Sequence, residues 1–548
     1  MTAGRSRAAM ADRAESASTW PIPRSVVLIT LLLAFLLVGR ELVAGTWSAD
    51  DEVVHVDLVR AVAEQRGFPH IDDRFIEASV WASYNLVGAE WSTRSRMLAD
   101  EAPAWDARPG LSDLGPGGFT GGRNWMTQHP PLYYVLVAGG TAVVGLVTPG
   151  DDIGSFSQEL AAMHALSMVF MLPLPILAWA TARRLGLGDT LSVVAACLPL
   201  AMPRVVTTGA QINNDTLLAL GLGVVTYLLA RVVTGDRSRW TALALAAAGS
   251  AVVLTKAFGW FVPMWIPLGY LAAGWLGGRR WREWIRPAAV ATLPPLIVLV
   301  GWVTRNLVLF GRIQPRITGI SQPAAEGFVP DTFDWVTKAV REFSLTLWAP
   351  IQPWWLLMPL AVLAVVAVLL GVLRAGADER LRRVMVLVPL AALAMVMLIS
   401  SWSAYRYSGR LLGVNARYLL GGLVGASAVA AAGLGTVVRR HVTQRWLPSA
   451  VLAAALAVQV AAAVTAVTRL YGPPEESFVN RLDDVVAWAS WPAWVIVVVL
   501  GAAAVTAVVC FASLVKEARR VAPMRATLAP DHSDASGARV RATAIEGP

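Results

Sequence analysis

A cluster of acids with one histidine follows the first hydrophobic run of the chain, in the stretch WSADDEVVHVD (residues 47–57). If this stretch is helical, Asp51 and His55 lie one turn apart on the same face, with Glu52 beside them. Carboxylate and imidazole groups in this arrangement suit a divalent cation or a general base. The alternative is a solvated helix start, because acids are favoured in a first turn. Asp50 directly precedes Asp51, so the choice of base stays open by one residue.

A second polar group precedes an apolar run in NWMTQHPPLYYVL (124–136). Pro130 and Pro131 can begin a helix but cannot continue one, which directs His129 into the loop before the helix. The alternative is a helix that simply begins at proline and carries an interfacial aromatic pair.

A third group is QINNDTLLAL (211–220), where Asn214 and Asp215 open another apolar run. Asp is a good N-cap residue, and capping is the simpler interpretation. If Asp215 lies on the same side of the membrane as Asp51, however, the two acids could share a metal ion. They could also divide the roles of base and orienting group.

The elements that must position these residues are membrane helices. Of the 548 residues, 56% are hydrophobic and 15% are charged, whereas soluble domains carry about 25% charged residues. Runs long enough to cross a ~30 Å hydrocarbon core recur along the chain. About twelve spans are predicted, at 25–43, 160–182, 190–207, 214–234, 239–254, 257–276, 286–303, 354–374, 384–401, 418–437, 447–469 and 492–515. The fold class is therefore an all-α polytopic membrane protein.

The net charge of +9 agrees with this class. Lys and Arg collect in cytoplasmic loops, so the charge does not indicate nucleic-acid binding. Arginine clusters follow every second predicted span, provided that the run 131–148 does not cross. We therefore expect 131–148 to be a juxtamembrane helix at the outer leaflet, within a first outer segment of about 46–159. Both cysteines, Cys197 and Cys510, fall in hydrophobic runs, so no disulfide framework is predicted.

The chain divides into four predicted parts. Residues 1–24 form a cytoplasmic segment, and 25–440 form a transmembrane module that contains the three polar groups. Residues 441–515 form C-terminal membrane helices, and 516–548 form a disordered basic cytoplasmic tail. The first run is too long for a cleaved signal peptide.

Cations on the expected outer side break the positive-inside pattern. They are Lys256, Arg305, Arg312, Arg316, Arg406, Arg410 and Arg417. A guanidinium fork matches phosphate oxygens, which points to an anionic ligand such as a lipid phosphate. The alternative for each cation is ordinary contact with lipid headgroups.

These motifs, taken in order, resemble the GT-C superfamily of polytopic glycosyltransferases, which includes protein O-mannosyltransferases and the lipid A aminoarabinose transferase. The resemblance covers about residues 25–440 and rests on DDEVVH, HPPLYY, NNDTLLAL, LTKAFG, RNLVLFG and NARYLLGGL. It implies an enzyme that uses a polyprenyl-phosphate sugar donor on the extracytoplasmic face of the cell membrane. The acceptor would be a glycan, a lipid or a protein, and a divalent cation is the cofactor that the resemblance allows.

The resemblance also assigns roles. It implies that Asp51 is the general base on the acceptor, with Glu52 and His55 as neighbours that shape the site. Asp215 would help to bind a metal ion or the donor phosphate. Three cations would neutralise the leaving phosphate, namely Lys256, Arg305 and Arg417. We expect His129 and Asn214 to line the acceptor or donor loop. Relatives commonly carry a soluble C-terminal domain outside the membrane, and a polar tail stands in its place here.

Two other classes of function stay open. A lipid or solute transporter would carry ionisable residues at mid-membrane and paired broken helices, whereas the residues named above lie at span ends. A non-catalytic membrane protein that keeps a transferase fold is the other alternative, because fold does not fix function.

Overall fold

A computed structural model gives the structure of the protein. It describes residues 21–49, 51–64, 68–71, 73–87, 103–115, 118–147, 155–278, 281–315, 323–324, 326–351, 354–438, 441–472 and 475–520. Asp50 and Arg316, both named above, lie outside the described residues.

The described chain is almost entirely helical. In chain order the helices are α1 (Arg24–Ala44), α2 (Glu52–Ala63), α3 (Ala78–Val87), α4 (Leu132–Val147), α5 (Phe156–Met171), α6 (Leu174–Arg184), α7 (Asp189–Cys197), α8 (Pro203–Gly209), α9 (Asp215–Val233), α10 (Arg239–Val253), α11 (Val262–Leu276), α12 (Trp281–Phe310), α13 (Thr332–Trp348), α14 (Met358–Leu373), α15 (Ala377–Ser408), α16 (Leu423–Val437), α17 (His441–Gln444), α18 (Leu447–Leu470), α19 (Phe478–Trp488) and α20 (Ala493–Arg520). Two short strands, β1 (Phe75–Glu77) and β2 (Phe119–Arg123), pair antiparallel.

The polytopic all-α class is confirmed. Within the described ranges, nine helical segments are long and apolar enough to cross a membrane. The span expected at 190–207 is a pair of segments, Asp189–Ala201 and Pro203–Gly209, bent by 64°. The spans expected at 239–254 and 354–374 are helices of 15 and 16 residues, α10 and α14. All twelve expected runs are thus helical, although three of them are bent or shorter than the rest.

Helix ends follow local sequence signals. Proline occupies the first turn of α8, α11, α14 and α18, where its missing N–H removes no helical hydrogen bond. Helix α15 ends at Ser408, and the next residue, Gly409, has a φ of 68°, the left-handed conformation that glycine adopts without a Cβ clash. Asp331 caps α13 by accepting a hydrogen bond from the Phe333 N–H at 2.8 Å.

Close backbone approach packs α16 against its neighbours. A Cβ added at Gly433 would overlap the carbonyl oxygen of Ala367 on α14, and one added at Gly425 would overlap the carbonyl of Val386 on α15. Small residues at such positions allow membrane helices to gain van der Waals contact, because lipid supplies no hydrophobic drive between them.

The segment between α1 and α5 folds onto one end of the helix bundle. Helix α2 is largely buried and packs on α4, with Val56, Leu58, Tyr133 and Tyr134 in a shared core. The strands pair Phe75 with Arg123 and Glu77 with Phe119. This segment carries Asp51 and His129, so its packing determines where the first two polar groups lie.

Helix α20 runs to Arg520. Residues 516–520, which the sequence predicted to belong to the tail, therefore continue the last helix. The remainder of the predicted tail, 521–548, lies outside the described residues.

Candidate active site

Four charged side chains from separate parts of the chain meet at one end of the bundle. Arg417 forms an ion pair with the carboxylate of Asp51, and its Nε lies 3.4 Å from Oδ2 of Asp215. Lys256 Nζ lies 2.6 Å from Oδ1 of Asp215. Negative and positive charges alternate along the series Asp51, Arg417, Asp215 and Lys256. Each charge therefore has an opposite charge beside it. We name these four residues the charge cluster.

A tight turn delivers Asp51 to the charge cluster. Helix α1 ends at Ala44, and the chain reverses through Gly45 and Trp47, which have φ values of 69° and 59°. The left-handed region is unfavourable for a bulky residue such as tryptophan, and here burial of the indole against Tyr84 stabilises it. Asp51 then occupies the N-cap position of α2, but its side chain makes no capping hydrogen bond and instead faces Arg417.

Asp215 and Lys256 come from neighbouring helix ends. Asp215 is the first residue of α9, and its backbone N–H donates to Oδ1 of Asn213 at 3.0 Å. Lys256 follows the end of α10, and its ammonium lies over the rings of Phe258 and Tyr418 at 5.3 and 5.1 Å. These aromatic faces stabilise a cation that is otherwise removed from water.

Arg417 is set in place by a capped turn. The turn Ala416–Gly422 begins after Asn415, whose Oδ1 accepts from the Arg417 N–H at 3.1 Å and from Arg204 Nη2 at 2.9 Å. The guanidinium also lies 5.3 Å from the ring of Tyr418. Arg417 is 9% exposed, so its charge acts in a low-dielectric setting where it interacts strongly with both acids.

The electrostatics keep Asp51 ionised. Burial alone would raise the pKa of this carboxyl, but the Arg417 guanidinium lowers it, with a smaller contribution from Lys256. The net pKa lies below the ordinary value for Asp. A carboxylate that is ionised and partly exposed at the edge of the site is in the protonation state that a base needs.

His55 and His129 lie at the same site in their neutral forms. His55 Nδ1 is 3.1 Å from the Tyr134 hydroxyl, and the two rings stack. Burial lowers the pKa of His55 to about 3, and burial with nearby Lys256 lowers that of His129 well below its ordinary value. Asn214 Nδ2 donates to the same Tyr134 hydroxyl at 3.4 Å. The structure thus brings both predicted loop residues, His129 and Asn214, to the site.

One backbone contact explains the position of His129. The N–H of Leu132, at the start of α4, donates to the carbonyl of Leu254 at the end of α10 at 3.0 Å. This bond places the HPP segment beside the segment that carries Lys256. The Nδ1 of His129 is buried and has no hydrogen-bond partner among the described residues.

Glu52 points to a different neighbourhood from Asp51. Its Oε1 lies 2.7 Å from His164 Nε2 and accepts from the Ile212 N–H at 3.1 Å. Among the described residues, the partners of Glu52 lie outside the charge cluster. Glu52 therefore links α2 to α5 and to the loop before Asp215. These contacts fix the position of Asp51 relative to Asp215.

Asp57 is a buried structural hub rather than a solvated acid. It pairs with Arg74 through Nε and Nη2 at 2.9 and 2.5 Å, and it accepts from the Glu77 N–H at 2.9 Å. Its Oδ2 also accepts from Asn124 Nδ2 at 2.6 Å. The simple helix-start interpretation of this acid is wrong, because its side chain is fully buried and has four donors.

Arg305 is not brought to the charge cluster. Its guanidinium lies 4.7 Å from the ring of Trp302 and donates to Asn306 Oδ1 at 3.2 Å. An aromatic series connects this region with the site: Trp302 contacts Phe68, and Phe68 contacts Tyr134, with centroids 6.3 and 6.4 Å apart. A phosphate-binding role for Arg305 stays a prediction.

The donor set of the described residues does not fit a divalent cation. Within the described ranges, Asp51 and Asp215 are the two carboxylates of the charge cluster, and both already face cationic partners. Across the described residues, no group of three or more His, Cys, Asp or Glu side chains has a metal-binding arrangement. A hard cation needs about six oxygen ligands. We therefore derive no step through the metal that Asp215 and Asp51 were expected to share.

Sequence reasoning missed several residues of the site. Tyr134 lies within HPPLYY, where its aromatic character suggested only an interfacial pair, and Tyr418 lies within NARYLL, where it was given no role. Asn415 and Asn124 act through backbone caps, which depend on local geometry. No sequence signal indicated His164, because its partner Glu52 lies 112 residues away.

Known proteins resemble parts of this chain. Residues 128–302 match the family model described as dolichyl-phosphate-mannose-protein mannosyltransferase. The undecaprenyl phosphate-alpha-4-amino-4-deoxy-L-arabinose arabinosyl transferase of Pseudomonas paraeruginosa is 26% identical over 258 residues, which cover 44% of this chain and 41% of that protein. The enzyme of the same description from Pseudomonas aeruginosa gives the same values. The chain thus spans about two fifths of the length of the curated relatives that it matches.

Two solved structures align more loosely. The ArnT of Cupriavidus metallidurans bound to undecaprenyl phosphate aligns with a TM-score of 0.42 and 14% identity, over 90% of this chain and 77% of that one. The oligosaccharyltransferase of Archaeoglobus fulgidus in its apo form gives 0.42 and 10%, over 85% and 56%. The family match and the curated relatives confirm the resemblance of this chain to the GT-C superfamily of polytopic membrane glycosyltransferases.

Proposed function

We propose that the protein is a membrane glycosyltransferase that moves a sugar from a polyprenyl-phosphate donor to an acceptor hydroxyl on the extracytoplasmic face. The observation that carries the proposal is the charge cluster, in which an ionised carboxylate and two buried cations meet where four segments converge. Both the matched family and the curated relatives are named for lipid-phosphate sugar donors. The sugars in those names differ, so the proposal specifies the lipid phosphate and not the sugar.

Asp51 acts as the base in the proposed reaction. The acceptor oxygen attacks the anomeric carbon while a carboxylate oxygen of Asp51 takes the hydroxyl proton. The bond between that carbon and the phosphate oxygen breaks, and its electron pair stays on the phosphate. A single displacement of this kind inverts the anomeric centre.

Arg417 couples donor binding to base strength. Without substrate, Arg417 is paired with Asp51. A donor phosphate that draws the guanidinium toward itself weakens this pair, so burial then raises the pKa of Asp51 and makes it a stronger base. Arg417 and Lys256 stabilise the charge on the departing phosphate, where fixed cations in a dry site are most effective. Asp215 holds both cations in place.

The position of the charged groups favours transfer over transport. Asp51 precedes the first residue of α2, Asp215 begins α9, and Lys256 follows α10, so these groups lie at helix ends. A transporter places such groups near the middle of the membrane.

The direct test is transfer by purified protein in nanodiscs. A panel of radiolabelled polyprenyl-phosphate sugars is incubated with envelope extract as acceptor, and the released polyprenyl phosphate is quantified. We expect label in the acceptor and one lipid phosphate released per sugar transferred. Movement of intact donor across proteoliposomes without its cleavage would identify a transporter. Mass analysis of envelope glycans after deletion of the protein would then identify the missing sugar.

A further inference from the structure

A cavity lies beside α1, and none of the four residues of the charge cluster lines it. It has a volume of about 450 Å³ and lies between α1, α5 and the start of α20. Its walls are mainly apolar and include three tryptophans, Trp105, Trp491 and Trp494. This size is in the range of pockets that bind small organic ligands.

Two buried polar side chains form one wall of this cavity. Glu41 of α1 and His164 of α5 are 7% and 3% exposed, and both line it. Glu41 Oε1 lies 3.9 Å from His164 Nδ1, which is too far for a hydrogen bond. His164 Nδ1 has no hydrogen-bond partner within the described part of the chain. A hydroxyl group placed beside the pair, at hydrogen-bond distance from each atom, can bond both, and buried polar atoms gain most from such a partner.

The charged groups around His164 determine which ligand charge is compatible with the cavity. His164 Nε2 already contacts Glu52, so two carboxylates flank one imidazole. An anionic ligand would be repelled by both acids. Arg40 lies close to Glu41 and His164 and places a positive charge near them, so a cationic ligand is not required. A neutral head with hydroxyl donors fits best.

The apolar walls limit the rest of the ligand. Trp494 is 66% exposed and lines the cavity at the start of α20, a helix long and apolar enough to cross a membrane. Tryptophan is favoured where apolar and polar layers of a membrane meet. Indole faces pack well on the apolar faces of sugar rings and on alkyl chains. We propose that this cavity binds a neutral amphiphile with a hydroxyl-rich head, of the alkyl or isoprenyl glycoside class, at a site separate from the charge cluster. The proposal does not depend on the transfer reaction.

Photolabelling of the protein in nanodiscs tests the proposal. Three probes share one diazirine-bearing octyl chain and carry a glucoside, a quaternary ammonium or a carboxylate head. Labelled peptides are identified by mass spectrometry. We expect the glucoside probe to label the cavity segments of α1, α5 and α20 about tenfold more than the other probes, a ratio that corresponds to about 1.4 kcal/mol. Equal labelling by all three heads, or a preference for either charged head, would overturn the proposal.

Two variants and a matched control sharpen the result. Ala165 lines the cavity at an exposed position of α5, so the ring of Ala165→Phe should occupy part of the space and reduce the labelling severalfold. Val169 is exposed on the same helix outside the cavity lining, and Val169→Phe should leave the labelling intact. Glu41→Gln keeps the shape and should reduce the preference for the glucoside severalfold. Unchanged selectivity in Glu41→Gln and unchanged labelling in Ala165→Phe would each contradict the assignment.

The outcome is separable from that of the proposed function. Labelling that follows these expectations in a preparation without transfer activity would support the second site and count against the transferase. Transfer activity with no selective labelling would support the transferase and count against the second site.

Discussion

The carboxylate of Asp51 and the guanidinium of Arg417 form an ion pair although they lie 366 residues apart in the chain. The pair joins the segment that follows α1 to the turn that precedes α16. It places the candidate base beside a cation that can also bind phosphate.

Replacement of Asp51 by Asn should remove the base and keep the shape of the side chain. We expect kcat for sugar transfer to fall by roughly 10²–10⁴, the usual contribution of a general base. Donor binding, measured by equilibrium binding of the lipid-linked sugar, should stay intact because Arg417 and Lys256 are retained. Asp378→Asn, at an exposed position in the first turn of α15, is the matched control. Undiminished transfer in Asp51→Asn would exclude Asp51 from the role.

Replacement of Arg417 by Gln should change the pH dependence of transfer. In the native protein the cation holds the pKa of Asp51 below its ordinary value, so the base form is lost only as pH falls through that lowered pKa. Without the cation, burial dominates and raises the pKa. The acid limb of kcat/KM should therefore move to higher pH.

Arg417→Lys retains a positive charge and is the comparison for this variant. A lysine cannot reach both acids with one planar fork, so we expect a raised KM for the donor but a smaller shift of the acid limb. An acid limb that stays in place in Arg417→Gln would show that Asp51 does not titrate in the reaction.

Replacement of Lys256 by Met should destabilise the fold, because the buried carboxylate of Asp215 loses this cation. Both side chains are almost fully buried, and the ammonium lies 2.6 Å from the carboxylate. Loss of one partner of a buried ion pair costs roughly 3–5 kcal/mol, and Arg417 near Asp215 should keep the cost at the lower end. Thermal unfolding in a double-mutant cycle with Asp215→Asn measures the coupling. Because the double variant leaves no unpaired acid, it should recover part of the loss, and strictly additive effects would refute the pairing.

Replacement of Asp57 by Asn should disrupt the support of the HPP segment. Asp57 holds Arg74, the Glu77 N–H and Asn124, and Asn124 in turn caps the turn that leads to His129. The variant replaces the carboxylate beside the buried guanidinium of Arg74 with a neutral amide, and the carboxylate of Glu77 lies farther away, at 3.9 Å from Arg74 Nη2. We expect a loss of roughly 3–5 kcal/mol in the free energy of unfolding.

Asp106→Asn is the control for Asp57, because Asp106 lies in the same segment and is exposed. It should unfold at the same temperature as the native protein. Limited proteolysis should cut Asp57→Asn between α2 and α4 before global unfolding. A variant with native stability would show that Asp57 is not the hub.

The apolar runs and their lengths determine the helices of this protein. A run of apolar residues with proline or glycine at its ends is a local signal, so all twelve expected runs are helical and α4 begins directly after Pro131. The polar motifs also indicated the right neighbours: Asp51, Asp215, Lys256 and Arg417 meet, and His55, His129 and Asn214 lie beside them. Helix ends on the same side of a bundle lie in one layer. For this reason the sequence could predict that these residues are neighbours.

Only the tertiary structure determined which partner each polar side chain contacts. Asp51 and Glu52 are adjacent in sequence, yet one pairs with Arg417 and the other with His164. Asp57 proved to be a buried hub, and Arg305 lies outside the charge cluster. The rotation of each helix is set by packing against helices distant in the chain, and a buried charge adopts the position where an opposite charge offsets its lost hydration. Neither the rotation of a helix nor the pairing of a buried charge can be determined from the local sequence.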